Sequence, residues 1–118
     1  MVSPMSARDD RVRLKHMLDA SRVVEAFAAG RTREDLDRDL QLTFALARAV
    51  EIVAEAAKDV SEERRMHHPG VPWRAIAATH HRLVHDPLAL DLDRLWHIVS
   101  VDVPVLIPHL RDALGETP

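Results

Sequence analysis

Between Arg64 and His85 the chain has no carboxylate, yet it carries Arg64, Arg65, Arg74 and Arg82 together with His67, His68, His80, His81 and His85. Five of the eight histidines are gathered there, although the whole chain has a formal charge of −3. Guanidinium groups hold phosphate at any physiological pH, and imidazole exchanges protons near neutrality. A positive, titratable island in an acidic protein points to an anionic ligand, phosphate above all. Two histidines that share the base and acid roles can drive proton transfer at a phosphate ester without a metal. The plain alternative is a solvated helix face beside a basic loop. His81 and His85 also stand four residues apart, a spacing suited to metal ligands. Two ligands do not make a site, however, and the sequence places no third, so no metal and no cofactor are expected.

These residues need elements to position them. Pro72 suits the first turn of a helix, which the pattern runs from Trp73 to about Val84. Trp73, Ile76, Ala77 and Val84 define its core face, and His80 projects to the middle of that face. Arg74, Ala78, His81 and His85 share another face. In an unbroken helix His80 and His85 would stand about 140° apart. They can cooperate only if the helix ends or distorts before His85, or if a second subunit completes the site. Pro87 excludes helix at its predecessor and starts a turn through Leu90.

The rest of the chain reads as helices. Asp9 or Asp10 is a candidate cap for a first helix to Ala28, with Leu14, Met17, Leu18, Val24 and Phe27 on its apolar stripe and Ser21 between them. Thr32, with Asp35 three residues on, can cap a long second helix over Leu36 to Val60, with a bend near Asp39. Its second half is apolar except for Arg48, Glu51, Glu55 and Lys58, which fall within roughly 80° of arc. That stripe is either a strip of exposed ion pairs, or a device in which Glu51 or Glu55 orients a basic group in a cleft. So much apolar helix is more easily buried in a dimer. Ser61 with Glu62 and Glu63 starts a short helix, and His67 to Pro72 breaks it. Asp91 can cap the last helix, whose stripe is Leu92, Leu95, Trp96, Val99 and Val103. Pro104 and Pro108 should kink or split it. Trp73 and Trp96 read as core anchors, His97 and His109 as surface or core-edge residues, and His67 and His68 as shaping the cleft rim.

At 118 residues the chain is one domain, long enough for a core without staples. Residues 1–8 are expected to be a disordered tail, 9–114 the helical domain and 115–118 a frayed end. Scarce glycine and abundant Ala, Leu, Arg, Asp and Glu favour an all-α fold. There is no cysteine, hence no disulfide framework or thiolate metal site. No apolar run approaches the roughly 20 residues of a membrane span, and the first residues lack the apolar core of a signal peptide. A cytoplasmic protein with no membrane contact is the expectation. The negative net charge argues against coating nucleic acid indiscriminately, but not against a local RNA site.

Several segments, taken together in order, resemble the HepT-like branch of the HEPN superfamily over about residues 9–114. They are Asp10-Arg11-Val12-Arg13-Leu14-Lys15-His16-Met17-Leu18 and Val50-Glu51-Ile52-Val53-Ala54-Glu55-Ala56-Ala57-Lys58, then His68-Pro69-Gly70-Val71-Pro72-Trp73-Arg74, Arg82-Leu83-Val84-His85-Asp86 and Leu92-Asp93-Arg94-Leu95-Trp96. The resemblance implies an all-α bundle of four to five helices that dimerises through helices including the long second one, with the active cleft between protomers. It implies the RNase toxin of a toxin–antitoxin pair, whose partner is a minimal nucleotidyltransferase of the MntA kind. Such toxins cut RNA without metal, using the substrate's own 2′-hydroxyl. Their motif is Arg, four residues, His, one residue, Tyr. The His transfers the proton, the Arg binds the scissile phosphate, and the Tyr accepts an adenylyl group that silences the toxin. Here the His is His85, the Arg position is His80 and the Tyr position is Pro87. Proline has no hydroxyl, so that modification site is lost. A histidine at 80 carries only part of a charge near neutrality and lacks the guanidinium fork. Arg82, three residues before His85, is a substitute phosphate ligand, with His81 and Arg74 as further candidates. The alternative is a catalytically inactive scaffold that binds the nucleotidyltransferase, RNA or nucleotide.

Overall fold

The run Leu40–Lys58 is built largely from alanine, leucine and other good helix formers, and in the computed structural model it forms the central helix, α3 (Leu40–Lys58). The structure describes residues 5–86 and 89–116, and the side chains of 9–79, 83 and 90–116. Asp39 sits in extended backbone (φ −119°, ψ 93°) and its carboxylate accepts from Leu42 N at 3.0 Å, which caps α3. The bend expected near Asp39 is therefore a full break, and the residues before it form only a single turn, α2 (Asp35–Arg38). Asp35 accepts from the backbone of Thr32 at 2.8 Å, so this pair closes the turn that leads into α2.

α1 (Met5–Ala28) packs on α3. The start of α1 meets the end of α3, where Arg13 pairs with Asp59 at 3.8 Å, so the two run antiparallel. α4 (Glu62–His67) and α5 (Trp73–Leu83) follow, with α5 against α3. A two-stranded antiparallel ladder, β1 (Val84–Asp86) with β2 (Ala89–Leu90), leads into α6 (Leu92–His97), a π-helical turn (Ile98–Asp102) and α7 (Val103–Ala113). The fold is an all-α bundle with one small hairpin added. Among the described residues no helix is long and apolar enough to cross a membrane.

Leu14, Met17, Leu18, Val24, Leu46, Leu95 and Leu110 have no exposed surface and form the centre of the bundle. Burial of each side chain contributes about 1.5–3 kcal/mol. Phe27, expected in the core, is 45% exposed instead. It is the penultimate residue of α1, and Gly30 (φ 73°) turns the chain away just beyond it. Leu40 and Phe44 are exposed as well, in line with Arg48, Glu51, Glu55 and Lys58 on the outer stripe of α3. The expected split of the last helix is realised as the π turn just before Pro104. Pro104 falls in the first turn of α7, and Pro108 is carried inside that helix.

Asp10 is not a cap. α1 begins before it, and its carboxylate turns inward, 6% exposed. It accepts from Ser61 N at 2.8 Å and from Ser61 Oγ at 2.6 Å, while Ser61 Oγ accepts from Arg64 N at 3.2 Å to cap α4. One carboxylate thus anchors the start of α4, and with it the loop ahead of α5, to the bundle. Asp10→Ala should cost about 2–3 kcal/mol by urea denaturation, because two hydrogen bonds to a buried charge are lost and Ser61 is left unsatisfied. A change below about 0.5 kcal/mol, the range of ordinary surface substitutions, would mean the anchor carries no stability.

Candidate active site

α5 is entered through Val71 and Pro72: the Val71 carbonyl accepts from Trp73 N at 2.9 Å, and the Pro72 carbonyl from Ile76 N at 3.0 Å. It ends at Leu83, which is 3% exposed and anchored in the core, while its carbonyl accepts from Asp91 N at 3.3 Å. The helix thus ends within one residue of the limit near Val84 that the sequence pattern gives. His80, His81 and Arg82 belong to the last turn of α5, whereas His85 lies in extended β1. The 140° separation of an unbroken helix does not apply between positions 80 and 85. Pro87 lies outside the described residues. On the far side of the hairpin, Asp91 caps α6 by accepting from Arg94 N at 3.0 Å, and Arg33 Nε donates to Asp93 at 2.7 Å. The segment holding the motif positions is thus tethered at both ends.

The remaining members of the basic island divide into two groups. Arg64 is occupied: its Nη2 donates to the Ala113 carbonyl at 3.0 Å, beside Arg11 Nη1 on the Leu114 carbonyl at 3.2 Å. Two guanidinium groups thus satisfy the orphan carbonyls at the end of α7. Arg74 is exposed on α5, and Arg65 is half-buried on α4. Among the described residues neither has a carboxylate partner. The two border a shallow groove of about 610 Å³ between α4 and the first turn of α5, together with Glu62, Met66 and Trp73. Trp73 is half-buried against the core, and its indole N–H donates to the carbonyls of Arg65 (3.1 Å) and His68 (3.0 Å). A deeper, mostly apolar cavity of about 280 Å³ lies on the other side of α5, between Val53, Ile76, Thr79 and, from the last helical segment, Asp102 and His109.

The outer stripe of α3 carries ion pairs within the helix. Arg48 reaches Glu51 at 3.4 Å and Glu55 at 3.3 Å along its own helix. His67 bonds back to the Glu63 carbonyl at 2.8 Å, and His97 faces Asp102 at 3.5 Å. His109 packs on the loop ahead of α5, so closely that a Cβ at Gly70 would lie 3.0 Å from its ring. Among the described residues no group of three or more metal-ligating side chains is assembled. Sequence reading missed Asp10 and Met66. Asp10 carries no local signal, since its partner is 51 residues away. Met66 was visible only as an apolar residue in a charged turn, and it is 74% exposed.

Burial, aided by Arg64 and by His67, holds the His68 imidazole below the ordinary histidine range, against the opposing pull of Asp112. With the folded value below the unfolded one, the unfolded chain binds more protons. Stability is then complete above the unfolded value near 6.5 and falls as pH drops toward the folded value. Replacing His68 with Gln should flatten the fall of Tm below about pH 6.5. Identical Tm–pH curves for the parent and His68→Gln would show that this residue contributes nothing to acid sensitivity.

Comparison with known proteins follows the same lines. A family model described as "Ribonuclease HepT-like" matches residues 17–113. The chain is 33% identical over 93 residues, 79% of its length and 84% of the relative's, to a "Probable ribonuclease HepT" of Thermococcus cleftensis. It is 30% identical over 101 residues to a candidate RNase of Caldanaerobacter subterraneus subsp. tengcongensis, covering 86% of this chain and 90% of that one. A candidate RNase of Methanocaldococcus jannaschii is likewise 30% identical, over 100 residues, 85% and 92% of the two chains. No solved structure matches the chain. With the helical bundle in place and a family match spanning most of its length, the chain belongs to the ribonuclease HepT-like family of the HEPN superfamily.

Proposed function

We propose that this protein is a metal-independent endoribonuclease, the toxin of a HEPN/nucleotidyltransferase toxin–antitoxin pair, working as a homodimer with a cleft between protomers. The observation that carries the reading is the end of α5 at Leu83, two residues before His85. With the backbone extended at position 85, the helical rotation that would set residues 80 and 85 about 140° apart no longer applies. His85 takes the proton from the 2′-hydroxyl as that oxygen attacks the adjacent phosphorus. The bond to the 5′-oxygen breaks, and the imidazolium returns the proton to it, leaving a 2′,3′-cyclic phosphate. His80 stands at the family's phosphate-binding position, and Arg82, His81 and Arg74 add positive charge to the approach. Glu51 and Glu55, paired with Arg48, act as a supporting stripe on α3 and not as proton donors. The partner is a minimal nucleotidyltransferase of the MntA kind, and with proline at 87 it has no hydroxyl to adenylylate there.

A single 2′-deoxynucleotide on the 5′ side of a mapped cut should abolish cleavage at that bond and spare the others. Cleavage at the substituted bond would exclude 2′-hydroxyl attack. His80 and Pro87, in place of the family's Arg and Tyr, favour a second reading: an inactive scaffold that binds the nucleotidyltransferase. That protein would capture its partner and leave RNA intact, with or without His85.

A further inference from the structure

Several of the described arginines are tied down by carboxylates. Arg13, Arg22 and Arg31 each pair with one, Arg33 with Asp37 and Asp93, and Arg48 with Glu51 and Glu55. Asp and Glu together number 19 against 16 Lys and Arg, so acidic partners are plentiful. Arg65 and Arg74 are not among these, and neither are Arg38, Arg94 and Arg111, but Arg65 and Arg74 stand together. They flank one groove, neither has a carboxylate partner among the described residues, and Arg65 Nε is buried with no hydrogen-bond partner. Between them lie two apolar surfaces of the kind that bases stack on. Met66 is 74% exposed, and the Trp73 ring is fixed by the two carbonyls that take its N–H. With the N–H already engaged, the ring can offer a ligand only its surface. Stacking of this sort reads no sequence.

We propose that the groove between α4 and the start of α5 is a track for single-stranded RNA, with Arg65 and Arg74 on successive phosphates and a base against Trp73 and Met66. The ligand class rests on the ribonuclease reading above. From Arg74 to Arg82 the helix rises about 12 Å, roughly the span of three stacked nucleotides. A strand lying on the track would therefore reach positions 80–85 along α5 itself. Glu62 is the one acid on the groove wall. It sits in the first turn of α4, so the strand is expected to pass over the arginine side. An acidic protein segment would satisfy the charges but has no use for the open part of a half-buried indole beside a thioether, which is why RNA is favoured.

The test uses the full chain and a short fluorescein-labelled RNA methylated at every 2′-oxygen, so that binding is read without cleavage. Arg65→Gln combined with Arg74→Gln should weaken binding about ten-fold or more at low salt. It should also make the plot of log affinity against log salt shallower by about 1.4, at 0.7 per lost phosphate contact. Arg74→Gln alone, at an exposed side chain with no described partner, should give about half that change in slope. In a Trp96→Phe background, RNA should quench the fluorescence of Trp73. Unchanged affinity and slope in both variants overturn the proposal. So does loss of binding to a poly-glutamate probe with RNA affinity intact, which would give the groove to an acidic protein. Groove-dependent binding without cleavage of ordinary RNA would sink the ribonuclease reading and keep the track. Cleavage and binding indifferent to both arginines would do the reverse.

Discussion

His85→Ala should lower RNA cleavage by about three orders of magnitude while leaving the fold intact, within the 10²- to 10⁴-fold range of general acid–base catalysis. In a reaction without metal, the 2′-hydroxyl needs a proton acceptor and the departing 5′-oxygen needs a donor. Imidazole serves both because its ordinary pKa lies near 6.5. The loss should fall on kcat with KM little changed, since the proton is moved only in the transition state. The check is initial-rate cleavage beside a thermal melt. Cleavage within a few-fold of the parent, from a protein of unchanged Tm, would remove His85 from the chemistry.

His80→Arg should raise cleavage at neutral pH by about 100-fold, the size of effect seen when one oriented donor to a developing anion is gained or lost. A guanidinium stays charged throughout the working range and grips two phosphate oxygens at once, whereas a histidine is charged only in part. The parent rate should accordingly fall as pH rises from about 5.5 to 8, through the ordinary histidine range. The His80→Arg profile should be flatter and set by His85. The position supports this reading: residue 80 lies in the last turn of α5, and the helix has ended by residue 84. A parent profile flat across that window, with no gain from arginine, would assign phosphate binding to Arg82 or another group.

The helices were legible in the sequence because the signals that start and stop them are local. Ser61 caps α4 and Asp91 caps α6 where the pattern placed them, and the Asp39 break matches the expected bend. The stripe Arg48–Glu51–Glu55 is likewise local, since its partners are one or two turns apart. What the sequence hid depends on distant contacts. Asp10 looked like a cap because it is acidic and near an expected helix start, but its partner Ser61 arrives from the other end of α3. The end of α5 was legible to within a residue, but the burial of Leu83 and its bond to Asp91, which fix it there, do not appear in a helical wheel. Phe27 fits the apolar stripe of α1 by period, and only the packing at that end of the bundle leaves it uncovered. The island of arginines was visible, but its division was not. Arg64 is occupied by the end of α7, while Arg65 and Arg74 are left facing a groove.

The central claim is that this chain cuts RNA through the substrate's own 2′-hydroxyl. The measurement that tests it most directly is mass spectrometry of the products formed by the purified protein in EDTA from a short synthetic RNA. We predict cleavage with 2′,3′-cyclic phosphate on one fragment and 5′-hydroxyl on the other. Intact RNA from both the parent and His80→Arg, with the proteins folded, would contradict the account, as would fragments bearing 5′-phosphate.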